Sequence, residues 1–155
     1  MEEFCGVVIN GRRLIVNKSG VVYGLKADGE MRLIENMATN KRGYNCISCG
    51  GKMIKRHRII AYTYLGLDLE NLKQQIDHQD GNTLNNSIDN LRIVTHQQNQ
   101  WNRTKAKGYY FHKLSEKWLA QINLNNKKIH LGLYETESEA RVSYLTAKLI
   151  YHKII

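Results

Sequence analysis

Four polar positions between residues 77 and 99 have the types and the spacing that metal-dependent hydrolysis needs. An Asp77-His78 pair is followed by Asn90, twelve residues after His78, and then by Asn99, nine residues later. A hard divalent cation such as Mg²⁺ prefers oxygen donors, and Asp77 and the Asn99 amide supply two, with water and phosphate filling the rest. A neutral His78 beside the ion can take a proton from water that attacks a phosphodiester. A loop asparagine such as Asn90, or a backbone carbonyl near it, is the natural partner to hold that imidazole.

The elements that must position these groups are predicted to be strand, long loop, strand and helix. The first strand ends over 75–78, the loop covers 79–90 with an Asp-Gly turn, and the second strand covers 91–95. A threonine at the end of that strand can cap a helix that runs to about residue 103. A hairpin followed by a helix brings the Asp-His pair opposite Asn99, so the sequence predicts one polar site there.

The same residues also have a purely structural interpretation. Asparagine favours turns and caps, so the pair could lie in a surface turn and the asparagines in a capped loop. Taken one at a time, the residues favour that interpretation. Taken together at fixed spacing, between two basic flanking regions, they favour a catalytic site.

The first third of the chain has the pattern of short strands. The runs CGVVI, RRLIV and VVYGL are separated by Asn-Gly and Ser-Gly turn signals, and the later run KRHRIIAYTYLG (55–66) predicts a short helix. Cys46 and Cys49 form a CxxC pair, which can be half of a zinc site. No second CxxC or HxxxH lies at suitable spacing, so we expect buried strand cysteines and no structural zinc.

The last third predicts a three-stranded sheet with one helix. KGYYFH, KWLAQINL and KKIHLGLY are strand-like runs, and in the middle run Gln121 and Asn123 alternate with an apolar face. Thr136 and Glu139 form a capping-box pattern that opens a helix. Ala140, Tyr144, Ala147 and Tyr151, at steps of four, three and four, give that helix one packing face. The helix therefore covers one face of the sheet, and the other face is polar and basic.

The charge distribution points to a polyanionic partner. The chain of 155 residues has a net charge of +9, and no acid occurs between Glu35 and Asp68, where six Lys or Arg fall. From this run we predict that Arg56 and Arg58 contact DNA.

With 42% apolar residues the chain should fold. No run of about 18 apolar residues and no signal-peptide pattern occurs, so we expect no membrane association. Three cysteines fit a reducing cytoplasm.

The central stretch resembles the HNH nuclease motif, in the variant carried by phage and intron-encoded homing endonucleases. The resemblance rests on the Asp77-His78 pair, a DG turn, an N-N-x-x-x-N-L element that contains Asn90, a strand, and Asn99. It implies a ββα-metal fold with His78 as general base, Asp77 and Asn99 as ligands of one divalent ion, Mg²⁺ or Mn²⁺, and Asn90 orienting the histidine loop. Upstream, NKSGVVYGL and KRHRIIAYTYLG resemble, more loosely, the nuclease-associated module that often precedes this motif.

Downstream, GYYFHKLSEKWLAQI, IHLGLYETESEA and the final helix resemble the small DNA-binding domain of plant ethylene-response factors, the AP-two domain. In that family the outer face of the sheet enters the major groove. Alternation along the strands assigns the outward positions here as candidate DNA contacts: Tyr110, His112, Gln121, Asn123, Lys128 and His130. The plant pattern is richer in arginine and has a tryptophan at the position of His130, so sequence preference does not carry over.

The combined prediction is an α+β chain of three modules. A β-rich nuclease-associated module covers 1–54, a ββα-metal HNH core covers 55–104, and an AP-two-like DNA-binding domain covers 105–155. We expect a metal-dependent homing-type endonuclease that acts on double-stranded DNA as a monomer and nicks at preferred sites. The resemblance implies the cytoplasm of a bacterium or of a phage-infected host cell as its location. The alternative is a DNA-binding regulator in which the HNH motif is only a scaffold.

Overall fold

The computed structural model describes residues 3–102 and 107–153. It is of the mixed α+β class, with several small antiparallel sheets and three α-helices among the described residues, which confirms the class predicted from the sequence. None of the helices in this part of the chain is long and apolar enough to cross a membrane.

The chain opens with a four-stranded antiparallel sheet. Its strands lie in sequence order, and they are β1 (Phe4–Ile9), β2 (Arg12–Asn17), β3 (Val22–Leu25) and β4 (Met31–Leu33). Asn10 and Gly11, with φ of 48° and 77°, form the turn between β1 and β2. Two consecutive residues with positive φ match the right-handed twist of a hairpin, which explains the Asn-Gly signal at this point.

A second hairpin leads directly into the first helix. Strands β5 (Cys46–Cys49) and β6 (Lys52–Lys55) pair antiparallel, and α1 (Arg56–Leu65) follows without a loop. The helix ends at Gly66, whose φ of 71° is the left-handed conformation that glycine adopts without strain. Both cysteines of the CxxC pair lie on β5, where Cys49 is buried and Cys46 accepts a hydrogen bond from Asn40 Nδ2 at 3.2 Å.

The predicted succession of strand, loop, strand and helix is present around the polar stretch. Strand β7 (Gln75–His78) pairs antiparallel with β8 (Leu91–Val94), and a short 3-10 turn precedes β8. Helix α2 (His96–Trp101) follows after one residue. The predicted end of this helix near residue 103 lies outside the described residues.

One apolar core joins the elements described so far. It contains buried residues from the first sheet, from the second hairpin, from α1 and from both strands of the polar hairpin, with Leu14, Val16, Ile47, Ile59, Ile60, Ile76 and Leu91 among them. Helix α1 contributes three consecutive buried residues to this core. The chain forms two compact units, the first ending at Asn99 and the second beginning at Gln100. The predicted module boundary between residues 54 and 55 falls within the first unit, where it would cut through this core.

The second unit contains an antiparallel sheet and one helix. The sheet has the order β11-β10-β9, with β9 (Tyr109–His112), β10 (Lys117–Leu124) and β11 (Lys127–Tyr134), and α3 (Glu137–Tyr151) packs on one face. Thr136 and Glu139 form the reciprocal hydrogen bonds of a capping box at the start of α3. Ile122, Tyr144 and Ala147 are the buried centre of this unit.

Candidate active site

His78 is the last residue of β7 and is buried beneath two other rings. The residue is 5% exposed, and its ring centroid lies 4.9 Å from that of His57, with the ring planes 78° apart. The ring of Tyr44 lies 5.2 Å from His57 and 6.1 Å from His78. Helix α1 supplies His57 and the segment before β5 supplies Tyr44, so three parts of the first unit enclose the predicted base.

The surroundings of His78 favour its neutral form. Burial lowers the pKa of His78, and the charge of Lys55 lowers it further. A hydrogen bond with Asn86 and the carboxylates of Asp80 and Asp77 oppose this effect without reversing it. Only a neutral imidazole can accept a proton, so this environment suits a general base at neutral pH.

His57 is held neutral more strongly than His78. Burial, followed by the nearby His78 and the charges of Lys55 and Arg58, lowers the pKa of His57 to about 2. Its position in a basic run favours contact with a phosphate or a cap on the helix. The structure instead places it in the interior, against the ring of His78, and sequence spacing gives no signal of that contact because the two histidines belong to separate elements.

Asn86 forms a hydrogen bond with His78. The amide oxygen of Asn86 lies 3.4 Å from His78 Nε2, while its Nδ2 donates to Asn36 Oδ1 at 3.2 Å and to the Leu84 carbonyl at 3.1 Å. These two donated bonds orient the amide so that its oxygen points to the imidazole. Asn86 is buried. The sequence places it inside the motif without assigning it a role, because neighbouring asparagines cannot be told apart by spacing.

Asn90 acts on the loop that follows His78. Its Nδ2 donates to Asp80 Oδ1 at 2.9 Å and to the Asn85 carbonyl at 2.8 Å, and its Oδ1 accepts from the Asp80 amide at 3.0 Å. Hydrogen bonds from Asn85, the Asn82 amide and Asn90 lower the pKa of Asp80 against a small opposing effect of burial, so the acceptor stays charged. One amide side chain thus ties together the two ends of the loop.

Asp77 and Asn99 lie on the same side of the hairpin. Asp77 is 5% exposed, and its Oδ2 accepts from Arg92 Nε at 2.9 Å and Nη2 at 2.7 Å, directly across the strand pair. Asn99 Nδ2 donates to Gln75 Oε1 at 2.8 Å. Gln75 and Asp77 are two residues apart on β7 and therefore share a face, which places Asn99 beside the face that carries the carboxylate.

The donor set fits a hard divalent ion bound by few protein ligands. One buried carboxylate and one amide oxygen on the same face are hard donors of the kind that Mg²⁺ and Mn²⁺ take, with the substrate phosphate and water as further ligands. Among the described residues, no group of three or more His, Cys, Asp or Glu side chains is gathered for a metal.

Arg56 requires a correction of the sequence-based interpretation. It is 1% exposed, and its guanidinium donates to Asn45 Oδ1 at 2.8 Å and to the carbonyls of Gly20, Ile34 and Glu35 at 2.5–3.0 Å. This group crosslinks the first sheet and the segment before β5, so its position opposes a role as a DNA contact. The physical reason is that a buried guanidinium satisfies its donors on backbone carbonyls of neighbouring turns.

Arg58 is also occupied within the protein. Its guanidinium donates to the carbonyls of Leu69 and Gln74 at 3.2 and 3.3 Å, although the residue is only partly buried. Its charge still acts on its surroundings, but these two bonds hold it against the segment that precedes β7.

The second unit presents the predicted outward positions on one face of its sheet. Gln121 pairs with His130, Asn123 with Lys128, and Leu119 with Tyr110, opposite the face that α3 covers. His112 lies on the same face, and its Nδ1 is 2.9 Å from Ser115 Oγ.

A register shift between Ala120 and Gln121 changes the alternation on β11. It lets Leu131 pack toward the helix while Gly132, with φ of 142°, continues the strand. A Cβ at Gly132 would come within 2.9 Å of Tyr134 Oη, so a side chain would disturb this bulge. The bulge keeps both His130 and Leu133 on the outer face.

Comparison with protein families identifies the segment that carries the site. Residues 55–101 match a family model, HNH_3, described as HNH endonuclease. This segment of the chain is therefore similar to an HNH endonuclease domain. The domain begins at the end of β6 and contains α1, β7, β8 and α2, so it includes all four residues of the predicted site. The match supports an enzyme that cleaves DNA.

One solved structure is similar over much of the chain. Its title is "DNA binding and cleavage by the HNH homing endonuclease I-HmuI", and the similarity has a TM-score of 0.45 at 24% sequence identity, covering 82% of this chain and 74% of that one. No curated protein matches the chain significantly.

Proposed function

We propose that this protein is a metal-dependent, homing-type HNH endonuclease that nicks double-stranded DNA at preferred sites. The observation that carries the proposal is the environment of His78, a buried imidazole at the end of β7 whose pKa is lowered and whose ring is held by Asn86. Metal-assisted phosphodiester hydrolysis needs a neutral base and oxygen donors for the ion, and Asp77, the preceding residue of β7, has a carboxyl group.

Each residue of the site has one part in this proposal. His78 takes the proton of the attacking water, and Asn86 holds its ring. Asn90 keeps the loop after His78 in place through Asp80. Asp77 and Asn99 would hold one Mg²⁺ or Mn²⁺, which when bound would stabilise the negative charge that develops on the phosphate.

The second unit supplies affinity and site choice in this proposal. Its outer sheet face presents side chains with hydrogen-bond donors and acceptors, among them Gln121, Asn123 and His130. Such groups can read base edges in a major groove that is wide enough for a β-ribbon. The basic balance of the tail, nine Lys or Arg against four Glu from residue 105 onward, adds attraction to phosphates.

The proposed reaction is a single-strand break made by a monomer. One HNH segment, over 55–101, supplies one base and one metal site, which can attack one phosphodiester in each engagement. Cleavage of the antiparallel strand needs a second site related by a two-fold axis, or a reorientation of the enzyme.

The decisive experiment is cleavage of supercoiled plasmid with Mg²⁺, with Mn²⁺ and with EDTA. His78→Ala should reduce the rate by about 10²–10⁴-fold while leaving DNA affinity nearly unchanged, because only the proton acceptor is removed. Asp77→Ala should act through the ion, so excess Mn²⁺ should restore part of its activity. Wild-type rates from His78→Ala would remove the assigned base, and full activity in EDTA would remove the metal. Linear product in place of nicked product would contradict the single-strand break.

A further inference from the structure

The basic run that begins α1 sends its side chains in different directions. Arg56 and His57 point into the interior, and Arg58 donates to two backbone carbonyls. Lys55, the residue before the helix, is only partly buried, and its ammonium lies 4.4 Å from the centroid of the Tyr44 ring. Lys55 is therefore the cation of this run that contacts a ring of the candidate active site.

Tyr44 connects Lys55 to the catalytic histidine. The centroid of its ring lies 5.2 Å from that of His57 and 6.1 Å from that of His78, so one aromatic ring is near both the ammonium and the proposed base. A cation over an aromatic face is attracted by the ring, which limits where a flexible lysine chain can place its charge. The ammonium is thus held at the edge of the active site.

The segment that carries Tyr44 is itself fixed against the loop after His78. Asn40 Oδ1 accepts from the amides of Arg42 and Tyr44 at 3.0 and 3.1 Å, and the Gly43 carbonyl accepts from Thr83 Oγ1 at 2.8 Å. Arg42 is exposed at the tip of this segment. The turn therefore presents a second cation from a backbone that is anchored to the active-site loop.

Arg42 is two residues before Tyr44, the residue whose ring the ammonium of Lys55 contacts. Burial lowers the pKa of Lys55, nearby Cys46 opposes this, and the charges of Arg42 and Arg58 lower it further. Within residues 3–102 and 107–153, no acidic side chain forms an ion pair with Lys55 or Arg42. Like charges gathered without a counter-charge favour the binding of an anion.

We propose that Lys55 and Arg42 form a phosphate-binding site at the edge of the active site, which holds a backbone phosphate of DNA beside the bond that is cleaved. DNA as the ligand rests on the proposed function. The ammonium of Lys55 acts as a point charge on the phosphate, and Arg42 can bind the same or the adjacent phosphate with its guanidinium. The interaction is independent of base sequence, because both side chains address the backbone.

The test measures the affinity of the full-length protein for a DNA duplex of random sequence, by fluorescence anisotropy in EDTA from 50 to 200 mM salt. Removing one cation that binds a phosphate flattens the slope of log affinity against log salt by about 0.9. A rise from 50 to 200 mM salt weakens DNA binding by the wild type, and this loss of affinity should be about 3.5-fold smaller in Lys55→Ala. Lys55→Arg should restore the wild-type slope. Arg42→Ala should flatten it in the same way as Lys55→Ala.

Lys52→Ala is the matched control, because Lys52 is an exposed lysine at the other end of β6. It removes the same charge from the same strand and should leave the slope within experimental error of wild type. A wild-type slope for Lys55→Ala, or an equal flattening for Lys52→Ala, would overturn the proposal. Lys55→Gln and thermal melts of every variant separate a weakened interaction with DNA from an unfolded protein.

The binding assay does not depend on cleavage, which keeps the two proposals separable. If His78→Ala keeps full activity while Lys55→Ala flattens the slope, the assignment of the base fails and the phosphate site stands. If His78→Ala is inactive while Lys55→Ala keeps the wild-type slope, the phosphate site fails and the base stands.

Discussion

Acid should destabilise the first unit through His57. Burial, His78 and the charges of Lys55 and Arg58 lower the pKa of His57 to about 2, from an ordinary value of 6.5. The folded protein therefore keeps this imidazole neutral at every pH above about 2, whereas the unfolded chain protonates it below 6.5. Because the folded pKa is the lower one, the stability that the neutral ring contributes is present above pH 6.5 and is lost as the pH falls.

The size of the loss follows from proton linkage. Between pH 6.5 and about pH 2 the unfolded chain binds one more proton than the native state at this position, and each pH unit in that range is worth about 1.4 kcal/mol. From pH 7.5 to pH 5 the free energy of unfolding should fall by about 2 kcal/mol on account of His57 alone. His78, whose pKa is also lowered, adds a loss of the same sign.

The measurement must report on the unit that contains His57. Trp118 lies in the second unit, and Trp101 lies at the end of α2, two residues after the last residue of the first unit, so tryptophan fluorescence does not report on the first unit alone. Hydrogen exchange of the amides of α1, corrected for the intrinsic effect of pH, gives the opening free energy of the first unit.

His57→Phe keeps an aromatic ring and removes the proton site, so it is the matched variant. Between pH 7.5 and pH 5, wild type should lose about 2 kcal/mol more opening free energy than His57→Phe. Equal losses in the two proteins, or no loss in wild type, would refute the argument.

Three further changes test other parts of the structure. Arg92→Gln removes two bonds to the buried carboxylate of Asp77 and should destabilise the metal-free protein by about 1–3 kcal/mol; Mn²⁺ should then raise its melting temperature more than that of wild type. Gly20→Ala should lower the free energy of unfolding and the cleavage rate more than Gly29→Ala. Both glycines have positive φ, but only at Gly20 would a Cβ meet backbone atoms, at 2.7 Å. In a chemical melt, Gly29→Ala should lower the free energy of unfolding by only about 1–2 kcal/mol. Deleting 105–155, which carries a net charge of +5, should weaken DNA binding and flatten its salt dependence by roughly 0.9 for each phosphate that is no longer bound, whereas an unchanged slope would argue against the sheet as a DNA-binding surface.

Local signals in the sequence are sufficient to predict most of the elements. The Asn-Gly turn between β1 and β2, the capping box of Thr136 and Glu139, and the alternation along β10 each depend on a few neighbouring residues. The order of strand, loop, strand and helix around Asp77 and Asn99 is predictable for the same reason. Such features arise from hydrogen bonds and side-chain periods within one segment, so a single sequence contains the information.

The tertiary structure decides which side chains meet across large separations. Arg56 belongs to a basic run in the sequence, yet its neighbours in space are carbonyls from other segments. His57 and Asn86 contact His78 because α1 and the asparagine loop pack on the same hairpin. One shared core likewise unites the predicted first two modules. Contacts of this kind depend on how apolar faces pack, and no local pattern of residue types reports which polar group will lie beside which.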